Sequence, residues 1–417
     1  MTKIIRLTGA IFLLPSLSLM PELAAGAGFA ILQQGTGPMG QGNAFVAQAD
    51  DPSAIFFNPA GITQLEGTQG YLGTTLIAPR NSYDGLDGSS DDTVAKLYAV
   101  PQLYLTHKLN PAVSLGFGIF SPFGLGTAWD DNWAGRYLTT SSSLSTVTAN
   151  PNVAVRLGKF SVAAGVDILR ADLELKKNLL TPYGDGTQEL SDTTWGYGYN
   201  LGLLYDATDT VKLGLSYRSK IDLDFDSAEA KFAVPSALTR YFPTTSGHGE
   251  LVLPPSLTAG ASYSPRRDLT LECDVTWTGW SSYDELALYF DSPVGPRATT
   301  SSVQPKNWED VLAYRLGLRY RLNAANTLRL GVIFDENPVP DATLGPDLPD
   351  ADRLIYTVGY DYLLNERMTL GIAYNYIDGK TRSKANDVTP DLPVAYRALG
   401  SYEQSTHSLG LSLKYSF

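Results

Sequence analysis

From residue 68 onward, apolar and polar residues alternate one by one. The C-terminal run is the clearest. Leu409, Leu411, Leu413, Tyr415 and Phe417 fall on one face, and Ser408, Gly410, Ser412, Lys414 and Ser416 on the other. Successive side chains of a strand point to opposite sides, so such a run is a strand with one apolar and one polar surrounding. The pattern recurs. Trp195, Tyr197, Tyr199, Leu201 and Leu203 oppose Gly196, Gly198, Asn200 and Gly202, and Val211, Leu213, Leu215 and Tyr217 oppose Lys212, Gly214, Ser216 and Arg218. Leu354, Tyr356, Val358, Tyr360 and Tyr362 oppose Arg353, Thr357, Gly359 and Asp361. About fourteen such strands predict an all-β fold, a transmembrane antiparallel β-barrel with an apolar outer face and a polar lumen.

The connections alternate as well. Short turns are expected at 107–111, 157–159, 207–210, 265–268, 323–326 and 364–366. Long polar loops are expected at 81–92, 126–143, 177–194, 226–250, 292–307, 336–350 and 381–401. Short periplasmic turns opposite long extracellular loops are the outer-membrane arrangement, and an even strand number puts both termini on the periplasmic side.

Composition narrows the class. The 417 residues include 43% hydrophobic residues, with a mean hydropathy of -0.09. Modest hydrophobicity suits a barrel in which only alternate residues meet lipid. No apolar run after the N-terminus is long enough for a membrane helix. The net charge of -12 argues against a nucleic-acid partner. The single cysteine, Cys273, excludes an internal disulfide. The three histidines, His107, His248 and His407, stand in no metal-binding spacing and near no cysteine, so no metal site, cofactor or enzyme activity is expected.

Residues 1–25 read as a secretory signal peptide. Lys3 and Arg6 form its charged end, 7–20 is mostly apolar, and Ala25-Gly26-Ala27 offers small residues for cleavage near Gly26 or Gly28. Gly35-Thr36-Gly37-Pro38-Met39-Gly40 matches the dinucleotide fingerprint. No strand precedes it, however, and Pro38 has no N–H for a phosphate, so a tightly folded plug segment is the better reading.

The stretch 48–63, QADDPSAIFFNPAGIT, is neither a strand nor a long helix. Asp51-Pro52 reads as a helix N-cap with proline in the first turn. Asn58-Pro59 ends that helix, because the ring disfavours a helical residue before it and removes a donor. The stretch 49–61, behind Gly40-Gln41-Gly42, resembles the N-terminal hatch of the FadL/TodX family of outer-membrane transporters of hydrophobic substrates. Four further stretches are similar: SPFGLGTAWDDNWAGRY at 121–137, NWED at 307–310, FDENPVPD at 334–341 and PDADR at 349–353.

The resemblance implies a hatch (26–67) inside a barrel (68–417), in the outer membrane of a Gram-negative bacterium. There it would be a monomer in contact with outer-membrane lipid and lipopolysaccharide. Its substrates would be hydrophobic small molecules: long-chain fatty acids, or aromatic hydrocarbons as the TodX-like alternative. It implies that the third strand kinks inward beside the hatch and opens the wall, which maps onto Pro122, Phe123, Gly124 and Gly126. It also implies that Asn58, Pro59 and Ala60 touch that kink and gate it. The residues allow this, since proline cannot donate to the ladder and glycine weakens it. A strand end running into a loop is the other reading.

Three more sets of candidates come from the residues themselves. On the strand 161–176, Val162, Ala164, Val166 and Ile168 face lipid, which places Asp167 in the lumen and turns Leu169, Leu173 and Leu175 inward. Apolar residues inside a barrel line a ligand pocket or touch a plug. A bulge at Ile168-Leu169 would instead swap the faces. In the loop 226–250, Phe232, Leu238 and Phe242 belong to an apolar run that is either an exposed landing surface or packed on its neighbours. A fatty acid carboxylate needs a cation in a low-dielectric lumen. Alternation points Arg315, Arg319, Arg329 and Arg353 inward, as candidates for that role or as ion-pair partners of carboxylates such as Glu272 and Asp274. In the NWED stretch, Glu309 stands where the family often has a basic residue, which removes one such cation.

The expected function is outer-membrane transport of long-chain fatty acids, by passive diffusion through a hydrophobic pocket with lateral release. Each buried CH₂ is worth about 0.8 kcal/mol, so an acyl chain prefers an apolar groove to a water-filled pore. A lipid hydrolase would need a serine and a histidine meeting near the outer rim. A general porin would need an open lumen without a plug.

Overall fold

The computed structural model describes residues 28–384, 392–393 and 396–417. The expected signal peptide, 1–25, lies outside the described residues.

Twenty-one strand segments form one closed antiparallel sheet, in which the first segment, Thr68–Gly85, pairs with the last, Gly400–Ser416. Ser90–Asp92 and Arg382–Lys384 are short additions at one rim, and five spans are broken in two, which leaves fourteen spans. In order they are Thr68–Gly85; Tyr98–Lys108; Val113–Phe120 with Gly124–Ala128; Ser141–Leu157; Phe160–Leu179; Gly186–Asp206; and Val211–Arg218 with Ile221–Ala233. Then follow Thr245–Leu253 with Ser256–Arg266; Leu269–Thr278 with Glu285–Val294; Thr299–Pro305 with Val311–Arg321; Asn326–Asp335; Arg353–Asn365; Met368–Gly379; and Gly400–Ser416. Alternation sets the two faces of the wall. Leu72, Leu103, Val166, Leu316 and Tyr356 are exposed, while Tyr71, Gln102, Asp167, Arg315 and Thr357 beside them are buried.

All six short turns fall where expected. The opposite rim differs. The expected loops 177–194, 226–250 and 292–307 are largely strand, because the spans continue as hairpins to Leu179 and Gly186, Ala233 and Thr245, and Val294 and Thr299. These extensions are rich in Thr and Ser and polar on their outer face. They meet water rather than lipid, so an apolar–polar alternation has nothing to impose there. The bulge considered at Ile168-Leu169 is also absent: the fifth and sixth spans pair without interruption from Phe160–Tyr205 to Leu179–Gly186.

Residues 28–65 lie against the inner face of this wall. They contain a helical turn, Thr36–Gly40, a short helix, Ala54–Phe57, and a 3₁₀ helix, Pro59–Gln64. The expected cap at Asp51 is displaced. Ser53 is the N-cap residue, and the Asp51 carboxylate instead accepts the Ser53 N–H at 2.9 Å in a turn ahead of the helix. The stop is where proline puts it: Asn58 is extended, and its Oδ1 accepts the Ala60 N–H at 3.2 Å.

Backbone donors in this segment find partners on the wall, as buried N–H groups must. Phe45 and Val46 donate to Asp274 Oδ2 at 2.8 and 3.0 Å. Ala47 donates to Glu272 Oε1 at 2.7 Å, and Gln48 to Glu272 Oε2 at 3.1 Å. Gly42 N–H donates to Thr357 Oγ1 at 2.9 Å, and Thr63 meets Ser161 hydroxyl to hydroxyl at 2.7 Å.

Candidate functional site: an apolar route beside a broken wall strand

The third span breaks at 121–123. Its lower piece pairs with the second span only from Leu103–Ile119 to Lys108–Ser114, and its upper piece pairs only with the fourth, from Gly124–Ser145 to Ala128–Ser141. The upper part of the second span therefore has no ladder partner on this side. One bond across the gap is that of the Tyr98 hydroxyl to Gly126 O at 3.1 Å. Because the strand resumes at Gly124, Pro122 and Phe123 mark an interruption and not a strand end. Residues 29–34 occupy the interruption. Ile31 N–H donates to Pro122 O at 2.8 Å, Gly124 N–H to Phe29 O at 2.8 Å, and Gln34 Nε2 to Ser121 O at 2.5 Å.

The Asn58–Ala60 corner lies near the break through apolar packing, since Ala60 shares a buried cluster with Phe120, but its hydrogen bonds go elsewhere. Asn58 Nδ2 donates to Val46 O at 2.7 Å and to Leu203 O of the sixth span at 3.0 Å. A Cβ on Gly202 would lie 2.4 Å from Asn58 Oδ1. This corner is hydrogen-bonded to the sixth span, and the hydrogen bonds from residues 28–65 to the break come from 29–34.

Two cavities flank an aromatic cluster. The outer one is walled by Leu138, Leu175, Leu190, Leu286, Leu288 and Leu344, with Lys177 and Lys306 among its polar groups. Leu173 opens on a smaller space that shares Leu190, Leu286 and Leu288 with it and reaches Phe225 and Leu251. Leu169 is fully buried in the cluster between the two cavities, with Phe29, Phe123, Trp280, Tyr283 and Trp308. Phe29 is its centre: its ring lies 4.7 Å from Trp280 and 6.1 Å from Phe123.

The inner cavity, about 760 Å³ of space free of atoms and partly open to solvent, is lined by Ala30, Leu32, Phe56, Phe57, Pro122 and Phe123, and by Arg218 and Arg315. Leu175 thus lines the outer cavity, Leu173 the smaller space beside it, and Leu169 the packed ring cluster that separates these from the inner cavity at the wall break.

The candidate cations separate by their partners. Arg319 is taken by Asp50 at 2.5 Å, Arg329 by Asp361 at 2.9 Å, and Arg353 by Asp350 at 3.1 Å. These are struts. Arg315 bonds to Thr276 Oγ1, faces the inner cavity, and keeps a buried Nε without a hydrogen bond.

Sequence reasoning passed over two others. Arg218 was already on the inward face by alternation, and Lys177 continues the inward series of Leu169, Leu173 and Leu175. Among the described residues the Lys177 side chain has neither an ion pair nor a hydrogen bond. Lys306 is paired with Asp347 at 2.6 Å. Burial alone would lower the Lys306 pKa, but the Asp347 carboxylate outweighs it and raises it. For Asp347, burial pushes upward and Lys306 outweighs it, holding the acid below its usual range.

The expected landing residues pack partly on one another. Leu238 is buried, and the Phe232 and Phe242 rings lie 5.5 Å apart, with Phe290 6.4 Å from Phe232.

Comparison with known proteins places this architecture. A family model described as outer membrane protein transport protein (OMPP1/FadL/TodX) matches residues 17–417. A putative outer membrane protein of Neisseria meningitidis serogroup B is 25% identical, over 90% of this chain and 91% of its own. A long-chain fatty acid transport protein of Salmonella typhi is 26% identical, over 80% and 83%. Among solved structures, a Pseudomonas aeruginosa FadL homologue superposes with a TM-score of 0.80 at 20% identity, covering 94% of this chain and 100% of that one. The Ralstonia pickettii toluene transporter TbuX does so with a TM-score of 0.71 at 20% identity, covering 94% and 99%. These structures share the fold. The chain belongs to the OMPP1/FadL/TodX family, and it is an outer-membrane β-barrel transport protein, not an enzyme.

Proposed function

We propose that the protein takes up long-chain fatty acids, with residues 28–65 acting as a hatch that diverts them sideways through the wall. The observation that carries this reading is the pair of largely apolar cavities on either side of the Phe29 cluster, each with a cation in its lining. Lys177 stands at the outer cavity, and Arg218 and Arg315 at the inner one, next to Pro122 and Phe123. An amphiphile with one carboxylate and a long chain matches that distribution. The chain is stabilised by about 0.8 kcal/mol per buried CH₂, and the head finds a cation at each stop. No energy source is needed, because an acyl chain that leaves water for hydrocarbon moves downhill, and release is lateral, at the break. The protein acts as a monomer with both termini in the periplasm, and outer-membrane lipid is the receiving phase.

The second reading is uptake of aromatic hydrocarbons. The ring cluster of Phe29, Trp280, Tyr283 and Trp308 favours it, since flat apolar solutes pack on such faces. Uptake of labelled oleate and of toluene, in cells lacking their own transporter and expressing this chain, separates the two. Oleate uptake that falls when Arg315 is neutralised supports the first reading. Toluene uptake without oleate uptake assigns the second.

A further inference from the structure

Arg218 ends the lower piece of the seventh span and points into the lumen. Its Nη1 lies 2.5 Å from Asp167 Oδ1, on a carboxylate with no exposed surface. Its guanidinium carbon is 5.3 Å from the ring centroids of both Phe56 and Phe120. Those two rings meet edge to face at 5.2 Å. Its Nη2 reaches the Phe56 carbonyl oxygen at 3.4 Å. Phe56 belongs to the plug segment, and Phe120 is the last residue before the wall break. A single cation thus ties a wall carboxylate, the plug and the broken strand together, and it borders the inner cavity.

The Asp167 pairing is incomplete. Oδ1 also accepts from Asn150 Nδ2 at 2.9 Å, while Oδ2 is buried without a hydrogen bond. We propose that Arg218 is the residue through which an anionic substrate loosens the wall: a carboxylate in the inner cavity draws the guanidinium away from Asp167 and from the Phe56–Phe120 pair. The ring quadrupoles lose the charge that holds them, and the Phe120 end of the strand is freed. Asn150 remains on Asp167. The unpaired buried carboxylate then favours the return of Arg218 once the substrate leaves, so the exchange resets itself. The substrate class is a long-chain monocarboxylate. A neutral molecule of the same length has no claim on the guanidinium and leaves the pair intact. This inference rests on the fatty-acid reading above.

The test uses the full chain in lipid vesicles, with Cys273→Ser as background and spin labels at Leu103→Cys on the second span and Leu125→Cys beyond the break. Oleate binding to the unlabelled protein is measured first, by tryptophan fluorescence. The label-to-label distance is then read with oleate and with oleyl alcohol. The expected result is a distance change with oleate alone, lost in Arg218→Gln. Asp167→Asn keeps the arginine and should shift the distance without any ligand. An equal response to oleyl alcohol, an oleate response retained in Arg218→Gln, or an unmoved distance in Asp167→Asn overturns the proposal while leaving the transport reading standing. Absence of oleate binding overturns both.

Discussion

Gly40 and Gly359 touch backbone to backbone. A Cβ on Gly40 would lie 2.5 Å from the Gly359 Cα, and one on Gly359 would lie 2.7 Å from the Gly40 Cα. The close approach explains the third glycine of the apparent nucleotide fingerprint, which packs the Thr36–Gly40 turn onto the twelfth span. Gly359→Val should displace this turn, with overpacking costing about 1–3 kcal/mol. The expected outcome is a barrel that still shows heat-modifiable gel mobility but whose residues 28–65 are cut by protease. Protease resistance equal to wild type would place the anchoring of the segment elsewhere.

The two carboxylates on the ninth span, Glu272 and Asp274, accept backbone N–H groups from four consecutive residues, 45–48. A buried hydrogen bond contributes about 0.5–1.5 kcal/mol, and leaving its donor unpaired costs about 1–3 kcal/mol. Glu272→Gln with Asp274→Asn should therefore release this stretch first. In planar bilayers the double variant is expected to show frequent open-channel events that the parent lacks. A silent double variant would mean that the other contacts suffice to hold the segment.

Arg315 and Arg319 share a strand and an inward face yet should behave differently. Arg319 is occupied by Asp50, whereas Arg315 borders the inner cavity. Arg315→Gln is expected to lower oleate uptake about tenfold, the loss of one charge-assisted bond of roughly 1.4 kcal/mol, with thermal stability nearly unchanged. Arg319→Gln should do the reverse: a lower unfolding temperature and near-normal uptake per folded molecule. Equal effects on uptake would assign both arginines to substrate.

The Lys306–Asp347 pair sets a pH window at the outer mouth. The acid titrates below its usual range, so its contribution is complete above that range and is lost only as pH falls through the lowered value. The lysine titrates above its usual range, so its contribution is complete below that range and is lost only as pH rises through the raised value. Hydrogen-exchange protection in the loop 336–350, taken relative to the intrinsic rate at each pH, should therefore stay flat from about pH 5 to pH 9, between the reference carboxylate and lysine values. Asp347→Asn should accelerate exchange across that window. A wild-type loop that opens between pH 7 and pH 5 would show that the pair is not what closes it.

Much of the wall was legible because lipid on one side and a packed lumen on the other impose period-two order. That order gave the spans, the six turns, the inward run Leu169–Leu173–Leu175 and the inward arginines. It failed at the outer rim, where water meets the outer face and Thr-rich strands look like loops. Partner choice was not legible either. Alternation points Arg315, Arg319 and Arg353 the same way, and only the folded chain shows that Asp50 and Asp350 claim two of them. The stop at Asn58-Pro59 was local chemistry and could be read. The docking of Asn58 onto Leu203 depends on a strand 145 residues away, and no local pattern encodes it.

The fifth and sixth spans have 20 and 21 residues. About 10 residues suffice for a tilted strand to cross the hydrocarbon layer. Roughly half of each span therefore rises above the lipid, and Leu175, Leu190 and Lys177 sit in that raised half. In a Gram-negative outer membrane this height is taken up by the hydrated sugars of lipopolysaccharide, a layer that repels oils. On the uptake proposed above, the barrel would work as a chimney through that layer: its mouth would collect a greasy molecule from the water beyond the sugars and deliver it to hydrocarbon below, so that the molecule never dissolves in the zone that excludes it.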